Sequence, residues 1–230
     1  MIPIGDQNPT RGRPTITLIL ITANVLIFLY EFMLGPRELQ AFFDQFAIIP
    51  AQLLGDVSAE FITLFTSQFL HGGWLHLLGN MLYLWVFGDN IEERLGHIRF
   101  LIFYLLTGLV AGLAQFIIDP DSVIPVVGAS GAIAGVLGGY LMLYPLARVT
   151  TIIPVFIFMR VQLPALLVLG FWFVSQFFNG VASVGMPTDT GGGVAFFAHI
   201  GGFIAGFLFI RLFGRKQAQS RTDPNLPDRY

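Results

Sequence analysis

The chain contains no cysteine, which excludes disulfides, thiolate catalysis and cysteine-ligated metal. Charge is scarce as well. Asp, Glu, Lys and Arg make up 11% of the 230 residues, against about 25% in an ordinary soluble domain. A net charge of −2 leaves no basic surface for nucleic acid. Histidine is limited to His71, His76, His97 and His199. His71 and His76 are five residues apart and no acid follows His71, so the zinc-protease pattern His-Glu-x-x-His is missing. Apolar residues are abundant instead: 55% of the chain is hydrophobic, with 24 Phe, 26 Gly and a mean hydropathy of +0.74. These proportions argue against a soluble fold and suit an all-α membrane bundle whose helices approach closely through glycine.

Residues 1–14 are polar and place Arg11 and Arg13 beside the first apolar run, Thr15 to Leu34. That run is too long for a signal peptide's apolar core and has no small-x-small cleavage site, so it reads as a retained span. Between Gly35 and Leu70 no uninterrupted stretch is long enough to cross a bilayer. Leu39, Phe42, Phe43 and Phe46 fall on one helical face, which predicts a short helix lying in the membrane interface. A second span is expected from about His71–Trp74 to Gly88, a third over Ile98 to Ile118, and a fourth over Gly128 to Leu146. Residues 150–159 hold Pro154 between Arg148 and Arg160. Ten helical residues cover only ~15 Å of a ~30 Å hydrocarbon core, so this piece is expected at the interface. The fifth span starts near Pro164 and ends near Asn179. A loop with Gly191-Gly192-Gly193 leads to a sixth span, Val194 to Phe213, and then to a polar, basic tail.

The distribution of Lys and Arg orients these spans. The N-terminus, the loops after spans two and four, the tail and the span ends that border them (Arg99 and Arg211) carry eleven of the twelve cations; the opposite loops carry only Arg37. Six spans with both termini in the cytoplasm satisfy this bias. Three segments are expected: a cytoplasmic stretch 1–14, a membrane domain 15–213 and a cytoplasmic, basic, disordered tail 214–230.

With the topology set, polar residues can be placed by depth. Asn80 lies six residues below Trp74, or ~9 Å, and His76 sits one turn above it on the same face. Ser130 falls in the first turn of span four, and His199 lies ~7 Å below Val194 in span six. All four meet in the outer half of the bilayer. Gly131, Gly135 and Gly139 form one small-residue stripe, and Ala198, Gly202 and Gly206 form another. Two such stripes allow spans four and six to cross closely, which would bring hydroxyl and imidazole together.

Serine is a poor nucleophile until a neighbouring base takes its proton, and histidine can do so near neutral pH. A tetrahedral intermediate needs preorganised donors around its oxyanion. His76, Asn80 and the Ser130 backbone N–H, at a helix N-terminus, can supply them. No acid lies at this depth in spans two, four or six, so a Ser130–His199 dyad is expected in place of a triad. Taken singly, Ser130, His76 and Asn80 read as polar residues bridging membrane helices, and the glycines as ordinary packing. His199 stands apart, because an ionisable residue inside a span points to function. His97 reads as solvated in a cytoplasmic loop, and His71 as structural. Asp89 has no membrane partner for an aspartyl dyad. The nucleophile-elbow pattern fails at Ala132, with no strand before Ser130.

Three separated motifs resemble the rhomboid intramembrane serine proteases. They are His71-Gly-Gly-Trp-Leu-His76-Leu-Leu-Gly-Asn80, Gly128-Ala-Ser130-Gly131, and Ala198-His199-Ile-Gly-Gly202-Phe-Ile-Ala-Gly206. Glu92-x-Arg94-Leu-Gly96 is similar to the family's loop after span two. The resemblance implies a six-span bundle and a cofactor-free, metal-free Ser130–His199 dyad. It also implies oxyanion donors at His76, Asn80 and the Ser130 amide, with His71, Gly128, Gly131, Gly202 and Gly206 structural near the site. Implied partners are transmembrane segments of membrane-protein substrates, cut near their outer ends, and the lipid bilayer; a bacterial cytoplasmic membrane is the expected location. Two places depart from the family pattern. Ala134 stands where many relatives carry an aromatic that stacks on the catalytic histidine. Ile62 and Thr63 stand where some carry Trp-Arg. The rival expectation is a non-catalytic relative that holds client helices without cutting them.

Overall fold

Helix α1 (Thr15–Met33) begins after Pro14, which offers no side-chain cap to the first backbone N–H groups. They are satisfied from elsewhere in the chain. The Glu92 carboxylate accepts from the N–H groups of Ile16 and Thr17, both at 2.8 Å, and from the Thr17 hydroxyl at 2.7 Å. A buried anion at a helix N-terminus answers both the orphan donors and the positive end of the helix dipole. In the computed structural model, residues 1–155, 157–184 and 195–214 are described. The Gly191–Gly193 loop and the tail beyond Gly214 lie outside them.

Before α1 runs strand β1 (Ile2–Asp6). After it come α2 (Pro36–Phe46), α3 (Pro50–Gly55), α4 (Val57–Glu60), α5 (Thr63–Thr66) and a 3₁₀ turn at Ser67–Phe69. Pro36 and Pro50 open their helices at a position where the missing N–H costs nothing. Asp56 caps α4 by accepting from the N–H groups of Ser58 and Ala59. Helix α2 carries the expected Leu39/Phe42/Phe43/Phe46 face. Thr63, at the departure from the family pattern, is buried and donates its hydroxyl to the Glu60 carbonyl. Then follow α6 (Trp74–Leu95), α7 (His97–Ile118), α8 (Ser130–Leu143), β2 (Arg148–Val155), β3 (Ile157–Pro164), α9 (Ala165–Ser183) and α10 (Phe196–Phe213). Among the described residues, four helices, α1, α7, α9 and α10, are long and apolar enough to cross a membrane.

Three expectations need correction. First, α6 does not stop at Gly88; it continues to Leu95. Its polar end is usable because Glu92 caps α1, Glu93 accepts from the backbone of Arg11 and Gly12, and Asn90 donates to Asp6. His97 is therefore not merely solvated: its Nδ1 pairs with the Glu92 carboxylate. Second, residues 150–159, weighed above at helical rise, are not helical. β2 and β3 form an antiparallel hairpin with Thr151 opposite Val161 and Ile152 opposite Arg160. The run Val149-Thr150-Thr151-Ile152-Ile153 is wholly β-branched, which favours extended backbone, and Pro154 opposes a helix interior. Third, the fold is not all-α: β1, before α1, pairs with β2, with a register shift between Pro3 and Gly5. The fold is thus mainly helical with one three-stranded antiparallel sheet in the order β1-β2-β3, and not all-α. Asp6 ties this sheet to the bundle by accepting from the hydroxyl of Tyr140 on α8 and from the Asn90 amide.

Helix α8 is the core of the bundle. Every residue from Gly131 to Tyr140 is buried, against α6, α7 and α10. The helix is fourteen residues, ~21 Å at helical rise, and is enclosed by protein over most of that length. Its contact with α10 is backbone on backbone. A Cβ at Gly202 would lie 2.1 Å from the Gly131 carbonyl oxygen, and one at Gly206 would lie 1.9 Å from that of Gly135. From the other side, a Cβ at Gly138 would meet the Phe203 carbonyl at 2.0 Å. Gly131 and Gly135 turn their own open faces to Ala111 and Thr107 of α7. The stripe therefore serves two neighbours: the carbonyls meet α10 while the missing side chains admit α7.

Overpacking a tight contact typically costs about 1–3 kcal/mol. Gly206→Ala is expected to reach or exceed that loss, since the new methyl faces a backbone carbonyl that cannot rotate away. Gly170→Ala, on α9 with nothing within 4 Å, is expected to be neutral or slightly stabilising. Thermal melts of the two variants in detergent compare them directly.

Candidate active site

The α7–α8 connection ends in a turn that only glycine makes readily. Gly128 has φ +127° and donates its N–H to the Ser67 carbonyl at 2.9 Å. A Cβ there would be strained, and would lie 2.7 Å from the His76 ring. The turn delivers Ser130 to the first position of α8. His76 is in the first turn of α6, and Asn80 lies one turn further in. His199 sits in the first turn of α10.

The structure joins the two residues that depth and packing had paired. His199 Nε2 is 2.8 Å from Ser130 Oγ. Ser130, His76, Asn80 and His199 line one cleft of about 860 Å³, with Trp74, Tyr83, Ile133, Leu137 and Trp172 among its walls. Its lining is mostly apolar and its polar groups are few, as in binding sites generally. His71 does not line the cleft; it is buried behind it. There its Nε2 lies 3.0 Å from Asn80 Nδ2, and its ring stands 5.2 Å from the His76 ring, close to edge-on. The His71 backbone N–H donates to the carboxylate of Glu31 on α1, at 3.2 Å. Gly131, Gly202 and Gly206 lie in the α8–α10 contact described above.

Two residues of this site were not anticipated, both on α9. Gln176 Oε1 accepts from His199 Nδ1 at 2.8 Å. Trp172, one turn earlier on the same face, places its ring 5.7 Å from the imidazole at an interplanar angle of 36°. The aromatic neighbour of His199 thus comes from α9, and Ala134 on α8 is fully buried in the helix core. The signal was present in the sequence. Gln176 is an amide inside an apolar span, a rarity that marks either helix bridging or function. Glu31 is a second such residue, an acid near the end of span one.

Residues 58–216 match the Rhomboid domain family. The chain belongs to the rhomboid family. It is 35% identical over 130 residues to rhomboid protease GluP of Bacillus subtilis, covering 56% of this chain and 25% of that protein. It is 37% identical over 90 residues to putative rhomboid protease YdcA of the same organism, covering 39% and 45%. It is also 30% identical over 198 residues to mouse rhomboid-related protein 2, covering 84% and 62%. The chain thus spans from a quarter to under two thirds of the length of these relatives. Family and apolar helices together make this rhomboid an integral membrane protein.

Proposed function

We propose that the protein is an intramembrane serine endopeptidase that cuts transmembrane segments of membrane proteins near their outer ends. The observation that carries this reading is the 2.8 Å contact between Ser130 Oγ and His199 Nε2 inside a cleft of a rhomboid fold. Ser130 Oγ attacks the scissile carbonyl carbon while His199 Nε2 takes the hydroxyl proton. Collapse of the tetrahedral intermediate expels the amine, which receives that proton from His199, and leaves an acyl-enzyme. Water, deprotonated by the same nitrogen, then releases the second product and regenerates Ser130.

The oxyanion is held by the Ser130 backbone N–H at the start of α8, with His76 and Asn80 on the facing helix. Asn80 has two N–H groups on one nitrogen. Directed at His71 Nε2, that nitrogen still keeps one for the cleft; with the amide reversed, it keeps both. His71 therefore serves as the anchor that orients Asn80. The cleft wall of Trp74, Ile133, Leu137 and Trp172 suits an apolar, locally unwound substrate segment.

The same reading puts six helices, α1 and α6 to α10, across the membrane, with the sheet and both termini in the cytoplasm. α6 and α8 are not long, unbroken apolar helices for physical reasons: α6 ends in acids that cap other segments, and α8 is enclosed by its neighbours. A bacterial cytoplasmic membrane is the location that fits. Substrates bound without cleavage would identify the rival role, a holder of client helices.

In liposomes, wild type is expected to cleave a model transmembrane substrate without added metal, while Ser130→Ala and His199→Ala are inactive. Losing one oxyanion donor commonly costs about 10²–10³ in kcat, so Asn80→Ala should lower kcat far more than it raises KM. Full activity of either dyad variant would overturn the mechanism. For topology, the cysteine-free chain allows single-cysteine labelling with an impermeant thiol reagent. Exposed Val123, between α7 and α8, should react as cysteine from outside; exposed Leu146, before β2, only after permeabilisation. The reverse pattern would overturn the orientation.

A further inference from the structure

We infer that Gln176 is the positioning residue of the catalytic base: it fixes the tautomer and plane of His199 and takes the place of a triad's acid. The inference rests on the dyad reading above. Its starting point is a chain of hydrogen bonds along one turn of α9. The Ser175 hydroxyl donates to the Trp172 carbonyl at 2.6 Å. Having used its proton, Ser175 Oγ accepts from Gln176 Nε2, at 3.3 Å. That assignment points Gln176 Oε1 at His199 Nδ1, 2.8 Å away. An amide oxygen can only accept, so Nδ1 must carry the imidazole proton. Nε2 is then left with its lone pair facing Ser130 Oγ, the form that can act as base.

Trp172 fixes what the hydrogen bond leaves free. One bond to Nδ1 permits the ring to swing about that contact, and the indole at 5.7 Å limits the swing. Trp172 and Gln176 are four apart, so they share a helical face and reach the same ring. Trp172 is itself held against Phe203 of α10. The base is thereby clamped between its own helix and α9.

A neutral amide suits this location. An aspartate would stabilise the imidazolium more strongly, but it would be a charge within an apolar helix wall. Glutamine selects the tautomer without adding charge. Among the described residues, the titratable side chains that share the cleft with His199 are His76 and Tyr83 of α6. α9 carries no titratable residue at all. A carboxylate at position 176 would thus be a new and isolated influence on the base.

The test uses the full-length protein in detergent and follows the rate of labelling by a fluorophosphonate probe as a function of pH. Gln176→Leu keeps the volume but removes the acceptor. It should label about 10- to 100-fold more slowly, and on a transmembrane substrate should lower kcat with KM nearly unchanged. Gln176→Glu restores the acceptor. Its rate should recover to within about tenfold of wild type at alkaline pH. Its acid limb should move to higher pH, because the carboxylate favours protonated His199. Phe178→Ala, on the exposed face of the same helix, should match wild type and controls for disturbance of α9. Gln176→Leu labelling as fast as wild type would overturn the inference, as would Gln176→Glu being as slow as Gln176→Leu or keeping the wild-type acid limb. Failure of the dyad reading gives a different result: wild type and Ser130→Ala would label alike.

Discussion

Everything in this molecule depends on how closely α8 and α10 can approach. Between apolar helices in lipid there is no hydrophobic drive to associate, so close packing and polar contacts must hold the bundle together. Here the approach is limited by backbone atoms alone: Gly202 against the Gly131 carbonyl and Gly206 against that of Gly135. The same spacing sets the reach of His199 to Ser130, because each adjoins its helix's glycine contact. Hydrogen-bond geometry tolerates only a few tenths of an ångström. A stripe of glycines, repeated at one helical turn, holds that tolerance with rigid parts.

Buried polar groups supply the second constraint. Each one left unpaired in an apolar interior is costly, and the chain links several of those it has. Glu92 closes the open end of α1, Asp6 fastens the sheet to α8 through Tyr140, and Gln176 holds His199. Glu31 takes the backbone N–H of His71, whose ring meets Asn80. Links that fasten the framework around Glu92 and Asp6 and links that orient the site follow one rule: a buried polar side chain is least costly where another group can meet it.

This rule also explains what could be read from the sequence and what could not. The long apolar helices, their order and the convergence of His76, Asn80, Ser130 and His199 on one cleft follow from hydropathy and helical rise, which are local or additive quantities. The Ser130–His199 contact was legible because both residues sit beside small-residue stripes. The sheet was missed because a ten-residue apolar piece with a proline was weighed by length, while its β-branched run and its partner before α1 went unused. Gln176 and Trp172 were missed because they act from a helix with no charged or histidine side chain to suggest a constellation. Ala134 pointed to a missing aromatic on α8; the ring comes from α9, a substitution across helices that no single motif records.

The central claim is that Ser130 is chemically activated by its neighbour, not merely near it. The most direct measurement is peptide mapping by mass spectrometry of the wild-type protein after reaction with a fluorophosphonate. The account predicts a single adduct on the peptide that contains Ser130, on the serine itself, and none after heat denaturation. An adduct on another serine, or an unmodified Ser130 peptide from folded and reacted protein, would contradict it.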